Sequence, residues 1–92
     1  MKGGQKTPNQ LERHFKGMAN HWRIAILLLV AKEKNLTVEG LTAQLQGNIK
    51  TISQHTRSLV HAGLLTKTYR GRKVLHSLSP YGNRFVEFIK HF

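Results

Sequence analysis

Apolar residues in the first third of the chain repeat with the spacing of α-helices. Thr7 followed by Pro8 indicates a helix start, because threonine caps helices and proline fits their first turn. The stripe that follows, at i, i+4, i+7 and i+8, consists of Leu11, Phe15, Met18 and Ala19. After a cap at Asn20, a second helix is predicted over about 21–33. It is apolar on nearly every side, which is typical of a helix at the centre of a fold.

The middle of the chain predicts two further helices joined by a tight turn. Thr37 is a suitable cap for a third helix, whose inward residues are Val38, Leu41 and Leu45. In the turn at 46–48, we expect Gly47 to adopt positive φ and Asn48 to cap the next helix. This fourth helix spans about 49–62, and its predicted core residues are Ile52, Leu59 and Val60. Gly63 follows it as a left-handed C′ residue.

The hydrophobic period changes from that of a helix to that of a strand after Gly63. Two β-prone runs, 64–69 and 74–78, flank the turn sequence Arg70-Gly71-Arg72-Lys73 and predict a hairpin. Ser79-Pro80 begins a last helix, with an apolar stripe formed by Tyr81, Phe85, Phe88, Ile89 and Phe92. The predicted fold is mainly α with a small β-hairpin, in the order α-α-α-α-β-β-α. We expect one domain over 8–92, preceded by a flexible basic tail over 1–7.

Charge changes this picture more than any other aspect of composition. Fifteen Lys and Arg oppose four Glu, there is no Asp, and the net charge is +11. An excess this large favours a polyanionic partner. The basic residues are dispersed rather than aligned along one amphipathic helix, which favours nucleic acid over a membrane surface. The absence of cysteine excludes disulfides, thiolate metal sites and cysteine nucleophiles.

Nothing in the chain indicates a membrane or secreted protein. The longest apolar stretch, Ile24 to Ala31, is too short to span a bilayer. Residues 1–6 lack the apolar region of a secretory signal. We therefore expect a cytoplasmic location and no membrane partner.

The third and fourth helices, with their Gly-containing turn, are the elements of a helix-turn-helix. The outward face of the fourth helix consists of Lys50, Thr51, Ser53, Gln54, Arg57 and His61. Such side chains bind phosphates and base edges, glutamine pairing well with adenine and arginine with guanine. The alternative is an ordinary solvated helix face.

The predicted hairpin carries Arg70, Arg72 and Lys73 around one glycine. A cationic β-ribbon beside a groove-binding helix can follow the phosphate backbone or enter the neighbouring minor groove. The alternative is a charged turn that only protects a sheet edge. Together, the helix and the hairpin favour a winged helix-turn-helix that binds double-stranded DNA.

Several segments resemble the ArsR-like winged helix regulators in the order in which that family has them. They are Phe15-Lys16-Gly17-Met18-Ala19-Asn20-His21-Trp22-Arg23-Ile24, Leu36-Thr37-Val38-Glu39-Gly40-Leu41, Thr51-Ile52-Ser53-Gln54-His55, Ala62-Gly63-Leu64-Leu65, Gly71-Arg72-Lys73-Val74 and Leu78-Ser79-Pro80-Tyr81-Gly82. The resemblance covers about residues 11–82. It departs from the family pattern at Gly40, Gly47, Ile49 and Thr56, so detailed base preference is not transferable.

The resemblance implies a homodimeric transcriptional regulator whose first and last helices form the dimer interface. It also implies a repressor, because most members of the family are repressors. The expected interface residues are Leu11, Phe15, Met18, Phe85, Phe88, Ile89 and Phe92. The expected DNA-binding residues are Lys50, Thr51, Ser53, Gln54, Arg57, Arg70, Arg72 and Lys73. Ordinary core packing remains the alternative for the apolar stripes.

We expect no catalytic, cofactor or metal site. The sequence contains no P-loop, dinucleotide fingerprint or nucleophile constellation. Glu87 and His91 are spaced i, i+4, as two metal ligands would be, but such a pair is also an ordinary helix contact. Two other functions stay open, a winged helix for protein–protein assembly and one for RNA binding, which typically uses exposed aromatics such as Tyr69.

Overall fold

The computed structural model describes residues 5–92 and confirms the predicted order of elements. The helices are α1 (Pro8–Met18), α2 (His21–Lys32), α3 (Val38–Leu45), α4 (Ile49–His61) and α5 (Pro80–Lys90), and the strands are β1 (Leu65–Arg70) and β2 (Lys73–Leu78). The bounds differ from the sequence expectation by one or two residues at most helix and strand ends. This is a winged helix-turn-helix of mainly α structure.

Each helix is preceded by a polar residue whose side-chain oxygen accepts a backbone N–H from the first turn. These N-caps are Thr7, Asn20, Thr37, Asn48 and Ser79. Thr7 also forms a reciprocal capping box with Gln10. Each cap is worth about 1 kcal/mol, and together they determine where the chain turns between helices.

The turn between α3 and α4 differs from the prediction. Gln46, not Gly47, adopts the left-handed conformation, with φ of 53°. Gly47 is needed for space instead, because a Cβ there would lie 2.9 Å from the Ile52 side chain and 3.3 Å from the Trp22 ring. Gly63 is left-handed as expected, with φ of 79°.

The core is built around α2, as its all-round apolar character predicts. Its buried residues Ile26, Leu27 and Val30 pack with Leu41, Ile52, Leu59, Leu64 and Val86 from the surrounding elements. On the inner face of α4, Thr56 is buried, and Val60 packs against the core although it is only half-buried. The Thr56 hydroxyl donates to the Ile52 carbonyl at 2.7 Å, so its polar atom is satisfied.

The hairpin is antiparallel, with a register from Leu65 opposite Leu78 to Arg70 opposite Lys73. Its base is anchored to the loop before α3 by an isolated bridge between Leu36 and His76. The His76 N–H donates to the Leu36 carbonyl at 2.9 Å, and its ring Nδ1 lies 3.0 Å from the same oxygen. This anchor fixes the position of the hairpin relative to the helix-turn-helix.

Residues 1–4 of the predicted tail lie outside the described residues. Of the rest, Thr7 is the cap of α1, and the Lys6 ammonium lies 4.2 Å from the centroid of the Tyr81 ring. The division into a tail over 1–7 and a domain over 8–92 stays a prediction. Within residues 5–92, no helix has the length and apolar character needed to cross a bilayer.

Candidate nucleic-acid interface

The outer face of α4 is accessible along its whole length. Lys50, Gln54 and Arg57 are exposed, and Thr51 and Ser53 are half-buried. These five predicted residues line one shallow groove together with the cap residue Asn48. The Asn48 Oδ1 accepts the Lys50 N–H at 2.9 Å and the Thr51 N–H at 3.3 Å, which fixes the first turn that presents them. The groove offers cationic, hydroxyl and amide groups to one ligand.

The hairpin meets α4 along one edge of this face. A second groove there is lined by Ile49 and Ser53 of α4 and by Arg72, Lys73 and Val74 of the hairpin. Ser53 belongs to both grooves, so the two surfaces are continuous. The structure therefore brings Arg72 and Lys73 beside the α4 residues. Arg70 is exposed and opposite Lys73 in the register, but it lines neither groove.

The cations of this surface are not neutralised within the described part of the chain. The ion pairs there join Glu12 to Lys16, and Glu87 to Lys90 and His91. None involves Lys50, Arg57, Arg70, Arg72 or Lys73. Glu39 contributes the only carboxylate that lines the hairpin groove. The surface is thus positive and open, as binding to a phosphate backbone requires.

A different face, formed by α1 and α5, is apolar. Phe15 and Phe85 contact edge to face with centroids 5.1 Å apart, beside a groove of about 240 Å³. Leu11, Phe15, Phe88 and Phe92 are exposed by 40, 51, 55 and 99% respectively. Met18, Phe85 and Ile89 are half-buried, and Met18 and Phe85 also pack against the core. Four of the predicted interface residues, Leu11, Phe15, Phe85 and Phe88, line this groove together, and Met18 and Phe85 also serve the core.

Arg23 has a structural role that the sequence does not indicate. Its Nε donates to the His55 Nδ1 at 3.1 Å, and its Nη1 donates to the carbonyls of Lys16 and Gly17 at 3.3 and 3.2 Å. It thereby ties α2 to the end of α1 and to α4. Burial, with the positive charges of Arg23 and His21, lowers the pKa of His55 and favours its neutral form. A contact between residues 32 positions apart leaves no periodic signal.

Glu87 and His91, considered above as metal ligands, form an exposed helix contact at 3.9 Å, and Glu87 also approaches Lys90 at 3.7 Å. Within residues 5–92, no three His or Glu side chains converge as a metal site would require. Such an exposed contact on one helix contributes little to stability.

Comparison with known proteins gives one family. The family described as "Bacterial regulatory protein, arsR family" matches residues 21–67, from the start of α2 into β1. The arsenic resistance transcriptional regulator ArsR1 of Pseudomonas putida is 34% identical over 73 residues, which are 79% of this chain. The match spans 57% of that relative's length.

Solved structures share the fold over nearly the whole chain. HlyU from Vibrio cholerae superposes with a TM-score of 0.83 and 25% identity, covering 95% of both chains. A homodimeric winged helix-turn-helix DNA-binding domain from Mycobacterium bovis has a TM-score of 0.80 and 23% identity, covering 97% of this chain and 87% of that one. The second likeness is one of fold alone.

Proposed function

Because the chain belongs to the arsR family of bacterial regulatory proteins, we propose that it is a sequence-specific regulator of transcription that binds duplex DNA as a homodimer. One observation carries the proposal. The polar face of α4 and the basic end of the hairpin form one continuous, positive surface joined at Ser53. A helix that fits the major groove beside a cationic ribbon is suited to duplex DNA.

In this proposal α4 reads the bases. The exposed Gln54 offers an amide that can pair with both N6 and N7 of adenine, and Arg57 can pair with O6 and N7 of guanine. Lys50, Thr51 and Ser53 near the start of α4 then contact base edges or adjacent phosphates, since the N-terminal residues of recognition helices enter the groove deepest.

The hairpin supplies affinity rather than sequence preference. Arg72 and Lys73, and Arg70 across the hairpin, would contact the backbone or the neighbouring minor groove. Each phosphate contact releases counterions, so binding should weaken steeply with salt.

The second protomer would bind at the α1–α5 face. Large apolar side chains exposed together mark a protein interface, and a two-fold contact lets one face cover its own copy. The Mycobacterium bovis domain, which has this fold, is homodimeric. Two copies would place their α4 helices in successive major grooves.

Repression by occlusion of a promoter requires only such a bound dimer. This function would place the protein in the cytoplasm.

Selection of bound sites from random duplex DNA, combined with sizing of the complexes, tests the proposal. We expect an inverted repeat, with half-sites about one helical turn apart, bound by two protomers. Enrichment of no sequence, or tighter binding to single-stranded RNA of the same length, would contradict it. The RNA comparison matters because Tyr69 beside the basic hairpin is 70% exposed and could stack on a base.

A further inference from the structure

The exposed face of α4 has two flanks. Residues 50, 54, 57 and 61 form its midline, because they are spaced by three or four. The hairpin lies on the flank of Ile49 and Ser53. On the opposite flank a shallow cleft joins Ser58 and His61 to three cations of α1 and α2. We call these three, Arg13, Lys16 and Arg23, the α1–α2 cations.

Two of these cations are held in place by the fold. The Arg13 guanidinium donates to the His61 carbonyl at 3.2 Å, across 48 residues of sequence. Arg23 is fixed by its bonds to His55, Lys16 and Gly17. An arginine has five N–H donors, so both retain donors for a further acceptor. Lys16 pairs at 3.3 Å with Glu12, but both side chains are largely exposed and such a pair is weak.

The geometry of duplex DNA places a phosphate backbone on each flank of an inserted helix. The major groove is about 12 Å wide and an α-helix with its side chains is about 10–12 Å across, so the helix lies between two phosphate backbones. The hairpin can reach only the backbone on its own side. We propose that the α1–α2 cations bind the phosphates of the opposite backbone, so that α4 is clamped from both sides. This inference rests on the proposed function of α4.

The test is a salt titration of binding to a duplex that the wild-type protein has enriched from a random library. Arg13→Gln with Lys16→Gln should reduce the slope of log affinity against log salt by about 0.9 for each phosphate that the variant no longer binds. The control, Lys32→Gln with Lys34→Gln, removes the same charge from exposed positions at, and two residues after, the C-terminal end of α2. It should leave the slope near that of the wild type. Arg13→Lys with Lys16→Arg keeps the charges and should retain the slope.

Replacing single phosphates by uncharged methylphosphonates locates the phosphates that each flank binds. The Arg13→Gln, Lys16→Gln variant should lose its sensitivity to methylphosphonates on one backbone. An Arg72→Gln, Lys73→Gln variant should lose its sensitivity to methylphosphonates on the other backbone. Equal slopes for the test and control variants, or loss of sensitivity at the same phosphates for both flanks, would overturn the inference alone. Failure of the wild type to enrich any duplex would overturn the proposed function as well.

An independent observation concerns Ile49, the first residue of α4. It is 50% exposed although it is aliphatic, and it lies between the polar midline and Arg72. A large apolar side chain at the start of a groove-binding helix can bind only one apolar group of the major groove, the 5-methyl of thymine. We propose that Ile49 selects thymine at one position of each half-site. This too depends on α4 entering the major groove.

Deoxyuridine, which lacks only that methyl, provides the test. Substituting it for each thymidine of the enriched duplex should weaken wild-type binding about fourfold per half-site at one position, the effect of one buried methyl group. Ile49→Ala should bind the thymidine and deoxyuridine duplexes equally, and Ile49→Val should remain sensitive. No sensitive position in the wild type, or undiminished sensitivity in Ile49→Ala, would overturn the assignment while leaving duplex binding itself intact.

Discussion

Two helical glycines meet very different surroundings, although local sequence does not distinguish them. A Cβ at Gly17 would overlap the Cβ of Ala62, where α1 crosses the end of α4. A Cβ at Gly40 in α3 would lie 3.4 Å from Leu36 and Thr37 side-chain atoms, an ordinary contact. Gly17 is therefore required by packing, whereas Gly40 is not.

We predict opposite effects of alanine at these two positions on the free energy of unfolding. Gly17→Ala should lower it by about 1–3 kcal/mol, because the packed helices must move apart. Gly40→Ala should raise it by about 0.5–1 kcal/mol, since alanine is the better helix former. Urea unfolding measures both, and a stabilised Gly17→Ala protein would contradict the close crossing of α1 and α4.

His55 should make stability depend on pH. Its pKa in the folded protein lies below the ordinary value of 6.5, because of burial and the positive charges of Arg23 and His21. As pH falls through 6.5, the unfolded chain takes up a proton at His55 before the folded chain does, so the free energy of unfolding decreases. His55→Asn keeps an acceptor for Arg23 without titrating and should lose less stability between pH 7.5 and 5.5. Equal losses in urea unfolding would contradict this.

At the scale of elements, we expect the hairpin to contribute equally to the affinity for every duplex, whatever its sequence. We predict that Arg72→Gln with Lys73→Gln weakens binding to enriched and random duplexes by the same factor. The salt slope should fall by about 0.9 for each phosphate that the hairpin no longer binds. The Lys32→Gln, Lys34→Gln variant is again the control of equal charge. Reduced affinity for the enriched duplex alone would instead assign base reading to the hairpin.

The helices were predictable because their signals are local. Caps such as Thr7 and Asn48 and the i, i+4 apolar spacing are read within one turn of chain, and the structure retains them. The Leu36–His76 bridge and the Arg23–His55 hydrogen bond were not predictable, because each joins residues more than 30 positions apart. The turn before α4 was predicted with the wrong residue left-handed. Conformational propensity favours glycine at a left-handed position, but Gly47 is required for a different reason, because a Cβ there would crowd the Ile52 side chain.

The candidate site, like the fold, was predictable from the sequence only where its signals are local. The spacing of Lys50, Gln54 and Arg57 identified the exposed face of α4 because it depends on helical period alone. Which side of that face the hairpin lies on, and that Arg13 lies on the other, depends on how the helices pack. No sequence pattern carries that information.

At the scale of the whole molecule, the apolar α1–α5 face should determine the oligomeric state. We predict that Phe15→Glu with Phe88→Glu converts a dimer into a folded monomer in sedimentation equilibrium, because charges would be buried at the two-fold contact. Tyr69→Glu, at an aromatic position on the hairpin that is 70% exposed, is the control and should remain dimeric. A monomeric wild type, or a dimeric double variant, would contradict the proposed interface.

The central claim is that α4 reads duplex DNA, and repeating the site selection with Gln54→Ala and Arg57→Ala combined tests it most directly. Both side chains are exposed, so the variant should fold and dimerise like the wild type. We predict that it still binds DNA through its remaining cations but enriches a degenerate site, without the wild type's preference at the adenine and guanine positions. Enrichment of the wild-type site with undiminished preference would contradict the claim.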